Sequence, residues 1–462
     1  MTGTVSYPHQ ALREAKRAKL DQAEAYLQDL RTLSVFIEDD RPSFVEEKRE
    51  LGIGVRGIVG KRQAFGSTTV DSLLDVRRAV EFASRLCSSS PEDPHRLELP
   101  SDSKSKERVS GTHDPKLRDL SAEELVRTAV SVVEAAKESV KGCEVPKGMI
   151  RLQEHHALLQ NSNGGEAETR STTAYLYFTG KVTVKGTVGE GIERWLGPSL
   201  SGLDPAKIGA SLAERARNTA RAESFKGKFS GTVAIEGTEL GHMLAVTMDL
   251  ACSGEAVVKR RSPWGGKLGK KVASASFTLY DDPRREGGVL SGVQDEEGVP
   301  TRTKTLVEGG ILRSYLCNTY YASRLDTLSG NGLRRGSVTA EGAYNVSATS
   351  APSNLVVRPG KGTLEDLVSE IDKGLLVYKF GAPQPNPLSG AFGLEIRDAS
   401  LIKKGEVTGS VRHGLLVGNF YEGLKHVSGI AGDVRTSALF GPGQCAYVPS
   451  MAFETFQLVG QA

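Results

Sequence analysis

The chain has 462 residues, which is enough for two or three domains that each bury a core of their own. Its 59 basic and 56 acidic residues leave a net charge of +3, which excludes the broad positive surface of a nucleic-acid-binding protein. Five cysteines without a CxxC pair argue against a disulfide scaffold and a cysteine-rich zinc module. No signal-peptide core and no membrane-spanning stretch is evident, so we expect a soluble, cytoplasmic protein with no membrane or nucleic-acid partner.

Four helices are predicted in the first half of the chain. Apolar residues at helical spacing predict an amphipathic helix over 9–28. Three more helices are predicted over 70–86, 121–140 and 204–222. Each of these three starts at residues that cap helices well: Asp71 or Ser72, Ser121 with Glu124 in a capping box, and Asp204 before Pro205.

Alternating or glycine-bounded apolar runs predict strands between these helices, over 33–40, 52–60, 149–164 and 171–191. The stretch 88–115 is rich in serine, proline and charge, and we interpret it as an exposed loop that is mobile at its centre. A short strand within 227–237 leads into a helix that carries His242. The domain boundary is placed near Lys226.

The second half is predicted to be dominated by strands, over 272–281, 304–317, 353–358, 392–404, 406–418 and 453–459. Tight turns at EGG and KKGE link several of them, and one helix over 363–373 starts with a capping box of Thr363 and Asp366. The predicted fold class is α+β with two domains. An N-terminal α+β domain covers 1–225, and a β-rich domain with a largely antiparallel sheet or a barrel-like core covers 226–462.

Several sequence blocks, in the right order and at plausible spacing, resemble one known family. They are LSVFIEDDRPSFVEEKRELGIGVRGIVGKRQAFGSTT (33–69), SGEAVVKRRSPWGGKLGKKVAS (253–274), DEEGVPTRTKTLVEGGILRSYLCNTYYASRL (295–325), TGSVRHGLLVGNFYEGLKHV (408–427) and YVPSMAFETFQLVG (447–460). Over nearly its whole length the chain is similar to the TldD/PmbA family, and more specifically to its PmbA (TldE) branch.

The resemblance implies a two-domain α+β protein that pairs into a dimer. In that family the TldD subunit carries an HExxxH motif and a C-terminal cysteine as metal ligands, and it cleaves unfolded peptides inside a closed chamber. The PmbA branch is the partner that lacks these ligands. The resemblance therefore implies that this chain holds no cofactor and that zinc belongs to a TldD-like catalytic subunit. It also implies a hetero-oligomer or dimer that acts on unfolded or modified peptides.

The motif position itself reads GTELGH. In an HExxxH helix two imidazoles about one turn apart bind Zn²⁺, and the glutamate polarises the metal-bound water. Here Gly237 replaces the first histidine, Thr238 replaces the glutamate, and only His242 matches. Glu239 precedes His242 by three residues and could share a helix face with it. Such pairs are common, and we interpret this one as a helix-surface or interface contact in preference to a metal site.

The family's C-terminal cysteine has no clear counterpart in the sequence. Counted back from the Val-Pro pair at 448–449, the expected position falls closest to Gly441, although Cys445 lies nearby. Cys445 follows a Gly-Pro-Gly sequence in a predicted loop that could approach a cleft, and a nucleophilic role would require a base close to it. A buried or merely exposed thiol is the simpler hypothesis.

The remaining histidines are interpreted as ordinary surface or packing residues. His155 and His156 are neighbours in a predicted strand, so their side chains point to opposite faces and cannot both bind one metal simply. His413 and His426 flank GLLVGNF and are assigned to a strand edge and a helix surface in preference to catalysis.

Two loops invite a ligand-binding interpretation that we do not favour. The segment 265–271 resembles a phosphate-binding loop but lacks the GxxxxGK[ST] order, so a flexible turn is predicted. The segment DEEGVP (295–300) could present oxygens to a hard cation, but a solvated turn is the more usual role of such a sequence.

Edge strands offer a sequence-independent way to bind an extended peptide, through main-chain hydrogen bonds. The glycine-rich segments Gly309–Tyr315 and Gly393–Leu401 are candidates for such an edge or for a subunit interface.

Three functional hypotheses follow. The first is a metal-free subunit of a cytosolic metallopeptidase complex, which shapes the chamber and orders a catalytic partner. The second is an autonomous metallopeptidase with a rebuilt site that uses His242, Glu239 and Cys445. The third is a non-enzymatic escort that binds peptides or a protein client.

Overall fold

The computed structural model describes residues 6–101, 107–335, 340–437 and 445–460. The predicted α+β class is confirmed. The first half contains the following elements: α1 (Ser6–Arg17), β1 (Gln22–Glu38), β2 (Arg41–Val59), β3 (Arg62–Thr69), α2 (Leu73–Ser89), α3 (Pro115–Asp119), α4 (Ala122–Ser139), β4 (Glu144–Asn161), β5 (Glu166–Val184), β6 (Thr187–Gly197) and α5 (Pro205–Arg221).

The strands of the first half form one antiparallel sheet in the order β3-β2-β1-β4-β5-β6. Asp39 and Asp40 join β1 to β2 with φ values of 45° and 68°, the left-handed pair that a two-residue hairpin turn requires. Helix α1 packs on β1, α2 on β2 and β3, α4 on β1 and β4, and α5 on β5 and β6. The opposite sheet face contacts the second half of the chain, for example through Tyr26 and Tyr344.

The prediction of a helix over 9–28 is wrong for its second part, because α1 ends at Arg17 and β1 begins at Gln22. Strand β1 is buried on both faces. Ala23, Ala25 and Leu27 pack against the helices, whereas Glu24 and Gln28 are buried towards the second half. The two faces of β1 differ in chemistry, but both are buried, so apolar residues do not alternate with exposed polar ones. The alanines of β1 therefore continue a pattern that also fits an amphipathic helix.

The other predicted helices of the first half are confirmed together with their caps. Ser121 and Glu124 form a capping box, Asp204 accepts a hydrogen bond from the backbone N–H of Lys207 at 3.1 Å, and Ser72 is the N-cap of α2. In the predicted loop over 88–115, α2 extends to Ser89 and the short helix α3 begins only at Pro115, while residues 102–106 lie outside the described residues.

The second half contains shorter elements. They are β7 (Glu223–Ser224), β8 (Lys228–Ser230), β9 (Thr232–Ile235), α6 (Gly237–Ala251), α7 (Gly254–Val258), β10 (Leu279–Asp281), β11 (Lys304–Glu308), β12 (Ile311–Leu312), α8 (Thr319–Arg324), β13 (Gly332–Leu333), a 3-10 turn (Ala343–Asn345), β14 (Thr349–Ser350), β15 (Asn354–Val357), α9 (Leu364–Ser369), β16 (Lys373–Phe380), β17 (Ala391–Lys403), β18 (Glu406–Arg412), β19 (Leu415–Asn419), α10 (Phe420–Lys425), β20 (Val427–Ile430), β21 (Arg435–Ser437), β22 (Cys445–Val448), β23 (Met451–Phe453) and β24 (Gln457–Val459).

Two larger sheets organise these strands. One has the order β12-β11-β10-β15-β22-β21, and the other has the order β20-β23-β9-β16-β17-β19-β24-β8, to which β18 and β7 are attached. Most neighbours are antiparallel, but β15 with β22 and β9 with β16 are parallel. Helix α6 contacts β21 and β22 of the first sheet and β16 of the second. It therefore lies where the two sheets meet, within the largest apolar core.

Three predictions in the second half need correction. The predicted strand over 272–281 is confirmed only for Leu279–Asp281, because Val272, Ala273 and Phe277 are buried in irregular chain that fills the core. The predicted strand over 304–317 is a hairpin that turns at Gly309 and Gly310 and then ends at Leu312. The predicted helix over 363–373 ends at Ser369, and strand β16 follows it without having been predicted.

The strands predicted over 353–358, 392–404 and 406–418 are confirmed in β15, β17, β18 and β19, and that over 453–459 is represented by β24. The division into 1–225 and 226–462 stays a prediction. Among the described residues, no helix combines the length and the apolar composition that crossing a membrane would require.

Candidate functional site

The segment GTELGH forms the first turns of α6, and its environment is the interior of the protein. Glu239 and His242 are only 1% and 2% exposed. The interpretation of this pair as a helix-surface contact is therefore wrong. An apolar core surrounds the rest of the helix through Leu240, Met243 and Leu244, which explains why α6 shows little amphipathic periodicity.

Close packing seals the position at which the family's first histidine would stand. A Cβ atom added to Gly237 would lie 2.3 Å from the carbonyl oxygen of Val448, and one added to Gly241 would lie 2.3 Å from Cβ of Ser437. The hydroxyl of Ser437 also donates a 2.7 Å hydrogen bond to the carbonyl of Thr238. Helix α6 thus packs through its glycines directly on strands β21 and β22. A histidine at position 237 has no room unless the backbone moves.

The carboxylate of Glu239 is already engaged in ion pairs and a backbone hydrogen bond. Its Oε1 lies 2.5 Å from Nζ of Lys379 and 3.7 Å from Nη1 of Arg194, and its Oε2 accepts a 3.0 Å hydrogen bond from the backbone N–H of Phe380. His242 Nδ1 is 3.9 Å from Oε1. Burial acts to raise the pKa of Glu239, but Lys379 and His242 outweigh it and lower that pKa. The carboxylate is therefore ionised and neutralised by neighbouring cations.

A second ion-pair group lies beside the first. Arg215 on α5 is 3.0 Å from Glu193, 3.4 Å from Asp398 and 3.7 Å from Glu236. Both groups border a cavity of about 60 Å³ between β6, α5, α6, β16 and β17. We call these residues the α6 charge cluster: Glu193, Arg194, Arg215, Glu236, Glu239, Lys379 and Asp398. Four carboxylates face three cations, so little negative charge is left to attract a metal ion.

The donor set at α6 does not fit a catalytic zinc ion. Gly237 offers no ligand, Thr238 offers no carboxylate, and Glu239 is engaged by Lys379. In the described parts of the chain, no three residues among His, Cys, Asp and Glu are grouped so that they could hold a metal ion. Gly441, the position expected for the family's cysteine ligand, lies outside the described residues.

Cys445 lies in a strand and not in a loop that could approach a cleft, and it is buried, as the simpler hypothesis allowed. It begins β22, is 2% exposed, and packs with Tyr175, Leu196 and Tyr447. Burial raises the pKa of its thiol to about 12. The thiol therefore stays protonated near neutral pH, a state that disfavours both nucleophilic attack and metal ligation.

The adjacent histidines point to opposite sides of the sheet, as predicted. His156 Nε2 lies 2.9 Å from Oε1 of Glu168 at the surface. His155 faces a cavity of about 100 Å³ between the sheet and the loops of the second half, and its Nε2 is shielded from solvent without a hydrogen-bond partner in the described part of the chain. Burial lowers the pKa of His155. The other pair is unremarkable, since His413 approaches Glu395 at 3.5 Å and His426 is the C-cap of α10.

Two of the three acidic side chains of DEEGVP, Asp295 and Glu297, are buried, so the prediction of a solvated turn is wrong for them. Asp295 is 2% exposed and accepts hydrogen bonds from the backbone N–H groups of Val299 and Gly332 at 2.9 and 2.8 Å. Glu297 is 1% exposed and accepts two hydrogen bonds from Thr319. Burial and then the neighbouring Glu297 raise the pKa of Asp295 to about 8.

Two arginines connect this segment to the first half of the chain. Arg334 lies 2.6 Å from Glu24, and Arg56 lies 2.7 Å from Glu24 and 3.7 Å from Glu297. Arg56 belongs to the Gly-x-Gly-Val-Arg sequence, which the pattern alone assigned to a strand and not to an ion pair. We call the following residues the DEE cluster: Glu24, Arg56, Asp295, Glu296, Glu297 and Arg334.

Of the two segments predicted as a peptide-binding edge or a subunit interface, Gly393–Leu401 is not a free edge, and the interface alternative stays a prediction for both. Gly393–Leu401 lies in β17, which pairs with β16 on one side and with β18 and β19 on the other. Gly309–Tyr315 includes β12 at the end of its sheet, but Lys270 and Val272 already form backbone hydrogen bonds with Leu312 and Gly310. Neither segment leaves a long row of free backbone groups.

Comparison with known proteins places this geometry in a family. Models of the PmbA/TldA metallopeptidase family match three consecutive stretches, domain 1 at 23–87, the central domain at 115–220 and the C-terminal domain at 229–460. An uncharacterized protein of Methanocaldococcus jannaschii is 24% identical over 307 residues, which are 66% of this chain and 69% of that protein. The metalloprotease TldD homolog of Buchnera aphidicola subsp. Schizaphis graminum is 32% identical over 177 residues, or 38% of this chain and 35% of that relative.

A solved structure agrees over a longer span. The crystal structure of TldE from Thermococcus kodakarensis superposes with a TM-score of 0.88 at 25% sequence identity, and the match covers 98% of this chain and 100% of that one. The resemblance that the sequence blocks predicted is therefore confirmed, and the chain belongs to the PmbA/TldD family.

Proposed function

We propose that this chain is a metal-free subunit of a cytosolic PmbA/TldD-type peptidase complex. In that complex a TldD-like partner would carry the zinc ion and this chain would complete the peptide chamber. One observation carries the proposal: the first ligand position of the motif, Gly237, is closed by the carbonyl of Val448. The ion pair between Glu239 and Lys379 supports it, because the nearest carboxylate is already neutralised.

The contribution of this chain is then structural. The metal chemistry, activation of water and polarisation of the scissile carbonyl, would belong to the partner. This chain would exclude bulk water and folded proteins from the chamber. Its unfolded or modified peptide substrates follow from the resemblance to the family and not from a pocket described above.

An autonomous peptidase that uses His242, Glu239 and Cys445 has less support. Glu239 is held by Lys379 and the backbone of Phe380, and the thiol of Cys445 is buried among tyrosines and apolar side chains. A general base or a nucleophile must reach substrate, which neither group does in this arrangement.

The proposal is tested on the isolated chain and on the native complex. We expect the purified chain to contain substoichiometric zinc and to lack peptidase activity. A pull-down from the native cell should recover a TldD-like protein with an intact HExxxH motif, and zinc should copurify with that partner. Stoichiometric zinc and robust turnover in the isolated chain would refute the proposal. Recovery of peptides without such a partner would instead favour a peptide-binding escort.

A further inference from the structure

The positive charge of this protein is concentrated in one short segment. Between Ala256 and Tyr280 there are six basic residues and no acidic residue, although the net charge of the whole chain is only +3. The six are Lys259, Arg260, Arg261, Lys267, Lys270 and Lys271. The rest of the chain has 53 basic and 56 acidic residues, so this segment has the opposite sign to the rest.

Three of these side chains surround a defined pocket. Lys267, Lys270 and Lys271 line a cavity of about 380 Å³ between this segment and α10, with Lys425 and its ion-pair partner Glu422 on the opposite wall. We call it the lysine pocket. Trp264 and Tyr421 also line it, with ring centroids 5.9 Å apart. Both aromatic residues are largely buried, at 2% and 7% exposure, so they form a firm apolar floor.

The backbone that carries the lysines is fixed to the core. The backbone N–H of Gly269 donates to the carbonyl of Leu312 at 2.9 Å, and the N–H of Leu312 donates to the carbonyl of Lys270 at 3.1 Å. The hydroxyl of Tyr315 donates to the carbonyl of Trp264 at 2.6 Å. Ser262 donates to the carbonyl of Ala251 at 2.7 Å and accepts from the backbone N–H of Trp264. The predicted flexible turn is therefore an anchored loop. It places three lysine side chains around one cavity.

The lysines lack internal counter-ions. Lys259, earlier in the same segment, pairs with Glu255 at 2.6 Å, and Lys425 pairs with Glu422 at 2.8 Å. In contrast, none of Lys267, Lys270 and Lys271 has a carboxylate within ion-pair distance in the portion of the chain that the structure describes. An anchored loop with three unpaired cations around a cavity is complementary to a ligand with several negative charges.

We propose that the lysine pocket binds an acidic polypeptide segment that also carries an apolar side chain. The carboxylates would pair with the three lysines. Leu388, which lines the pocket and is 53% exposed, would contact the apolar side chain, together with Leu268, which follows Lys267 in the same loop and is 51% exposed. Nucleic acid fits less well, because Trp264 and Tyr421 are buried and cannot stack on bases, and the basic residues form a compact group and not a stripe. This inference does not depend on the proposed peptidase role.

The test uses the full chain and a fluorescein-labelled peptide built from glutamate, leucine and glycine, with binding measured by fluorescence anisotropy at low salt. The double variant Lys267→Gln/Lys271→Gln should weaken binding about fivefold or more, as expected for the loss of two favourable ion pairs. The matched control is Lys403→Gln/Lys404→Gln, which removes two exposed charges at the far end of β17. Lys403 lies about 40 Å along β17 from Ala391. Ala391 pairs with Asn419, which lines the lysine pocket. The control should bind as the unchanged chain does.

A second comparison examines the leucines. Leu268→Ser should weaken binding of the glutamate-leucine peptide more than binding of a peptide in which serine replaces leucine. Thermal unfolding of each variant would verify that it is folded. Equal losses in the two lysine variants would overturn the proposal, because they would show an effect of bulk charge. Tighter binding of a single-stranded oligonucleotide of equal charge, dependent on the same lysines, would also overturn it.

Discussion

The α6 charge cluster and the DEE cluster bury acidic side chains in two different ways. At α6, Lys379 lowers the pKa of Glu239, which stays ionised. Burial instead raises the pKa of Glu236 and Asp398, which share the cation Arg215 with Glu193. In the DEE cluster, acids outnumber the arginines. Within the described residues, the carboxyl of Asp295 accepts hydrogen bonds from backbone N–H groups and not from a cation, and burial raises its pKa to about 8. Burial alone therefore does not determine the charge of a carboxyl group, since the number of cations within reach decides it.

The two clusters should also respond differently to change. The α6 charge cluster depends on charge balance and on the close approach of α6 to β22. The DEE cluster depends on a proton and should respond to pH. The predictions that follow run from the largest expected effect to the smallest.

Glu239→Ala should destabilise the protein by about 3–5 kcal/mol, because Lys379 and Arg194 would be left buried without their counter-ion. The free energy of unfolding in urea measures this loss. The double variant Glu239→Leu/Lys379→Met should recover much of the stability, since it removes both charges and keeps apolar volume. A double variant no more stable than Glu239→Ala would show that the pair itself is not the cause.

Gly237→Ala should cost about 1–3 kcal/mol, because its methyl group would overlap the carbonyl oxygen of Val448. Gly409→Ala is the matched control, since nothing lies within 4 Å of a Cβ atom at that position in β18. We expect that substitution to be neutral or slightly stabilising. Equal stability of the two variants, measured by thermal unfolding, would contradict the tight packing of α6 on β22.

Asp295→Asn should change how stability depends on pH. Burial and Glu297 raise the pKa of Asp295 to about 8 in the folded protein, whereas the pKa of an unfolded aspartate is about 4. The protonated carboxyl therefore favours folding. Relative to Asp295→Asn, the unchanged protein should lose stability as the pH rises from about 5 to 8. Urea unfolding at both pH values measures the difference. Parallel pH profiles would mean that this carboxyl is not protonated in the folded state.

His155→Gln should have the smallest effect on the pH dependence of stability, in the direction opposite to that of Asp295→Asn. Burial lowers the pKa of His155 in the folded state, and His156 adds to this, while Glu296 and Asp29 oppose it. The neutral side chain therefore contributes stability above about pH 6.5 that is lost as the pH falls. The unchanged protein should lose more stability than His155→Gln between about pH 7 and 5.5. His426→Gln, at the exposed C-cap of α10, is the control for the loss of a surface histidine.

Local signals in the sequence predicted much of the fold. The capping pairs Ser121 with Glu124 and Thr363 with Asp366 mark helices that the structure contains, because a cap is satisfied by residues three positions apart. Strand β1 was partly misassigned because both of its faces are buried, so its polar residues do not mark a solvent side. Strand β16 was missed because it begins only four residues after α9 ends.

The site was harder to predict than the fold. The absence of the first histidine and of the glutamate is visible in GTELGH. The partners that neutralise Glu239 are not visible, because Arg194 and Lys379 come from strands that are distant in sequence. The same is true of Arg56 and Glu297, whose contact joins the two halves of the chain. Sequence patterns report local geometry, whereas these ion pairs depend on how the sheets pack together.

The contact between Gly237 and Val448 also limits how this protein can evolve. A histidine introduced at position 237 would first destabilise the fold, since its Cβ atom would overlap the carbonyl oxygen of Val448. Movement of β22 away from the helix would by itself open a gap beside α6 and would offer no benefit until a ligand followed. Neither single step is favourable without the other. The close packing of one glycine thus disfavours the stepwise gain of an HExxxH sequence by single substitutions.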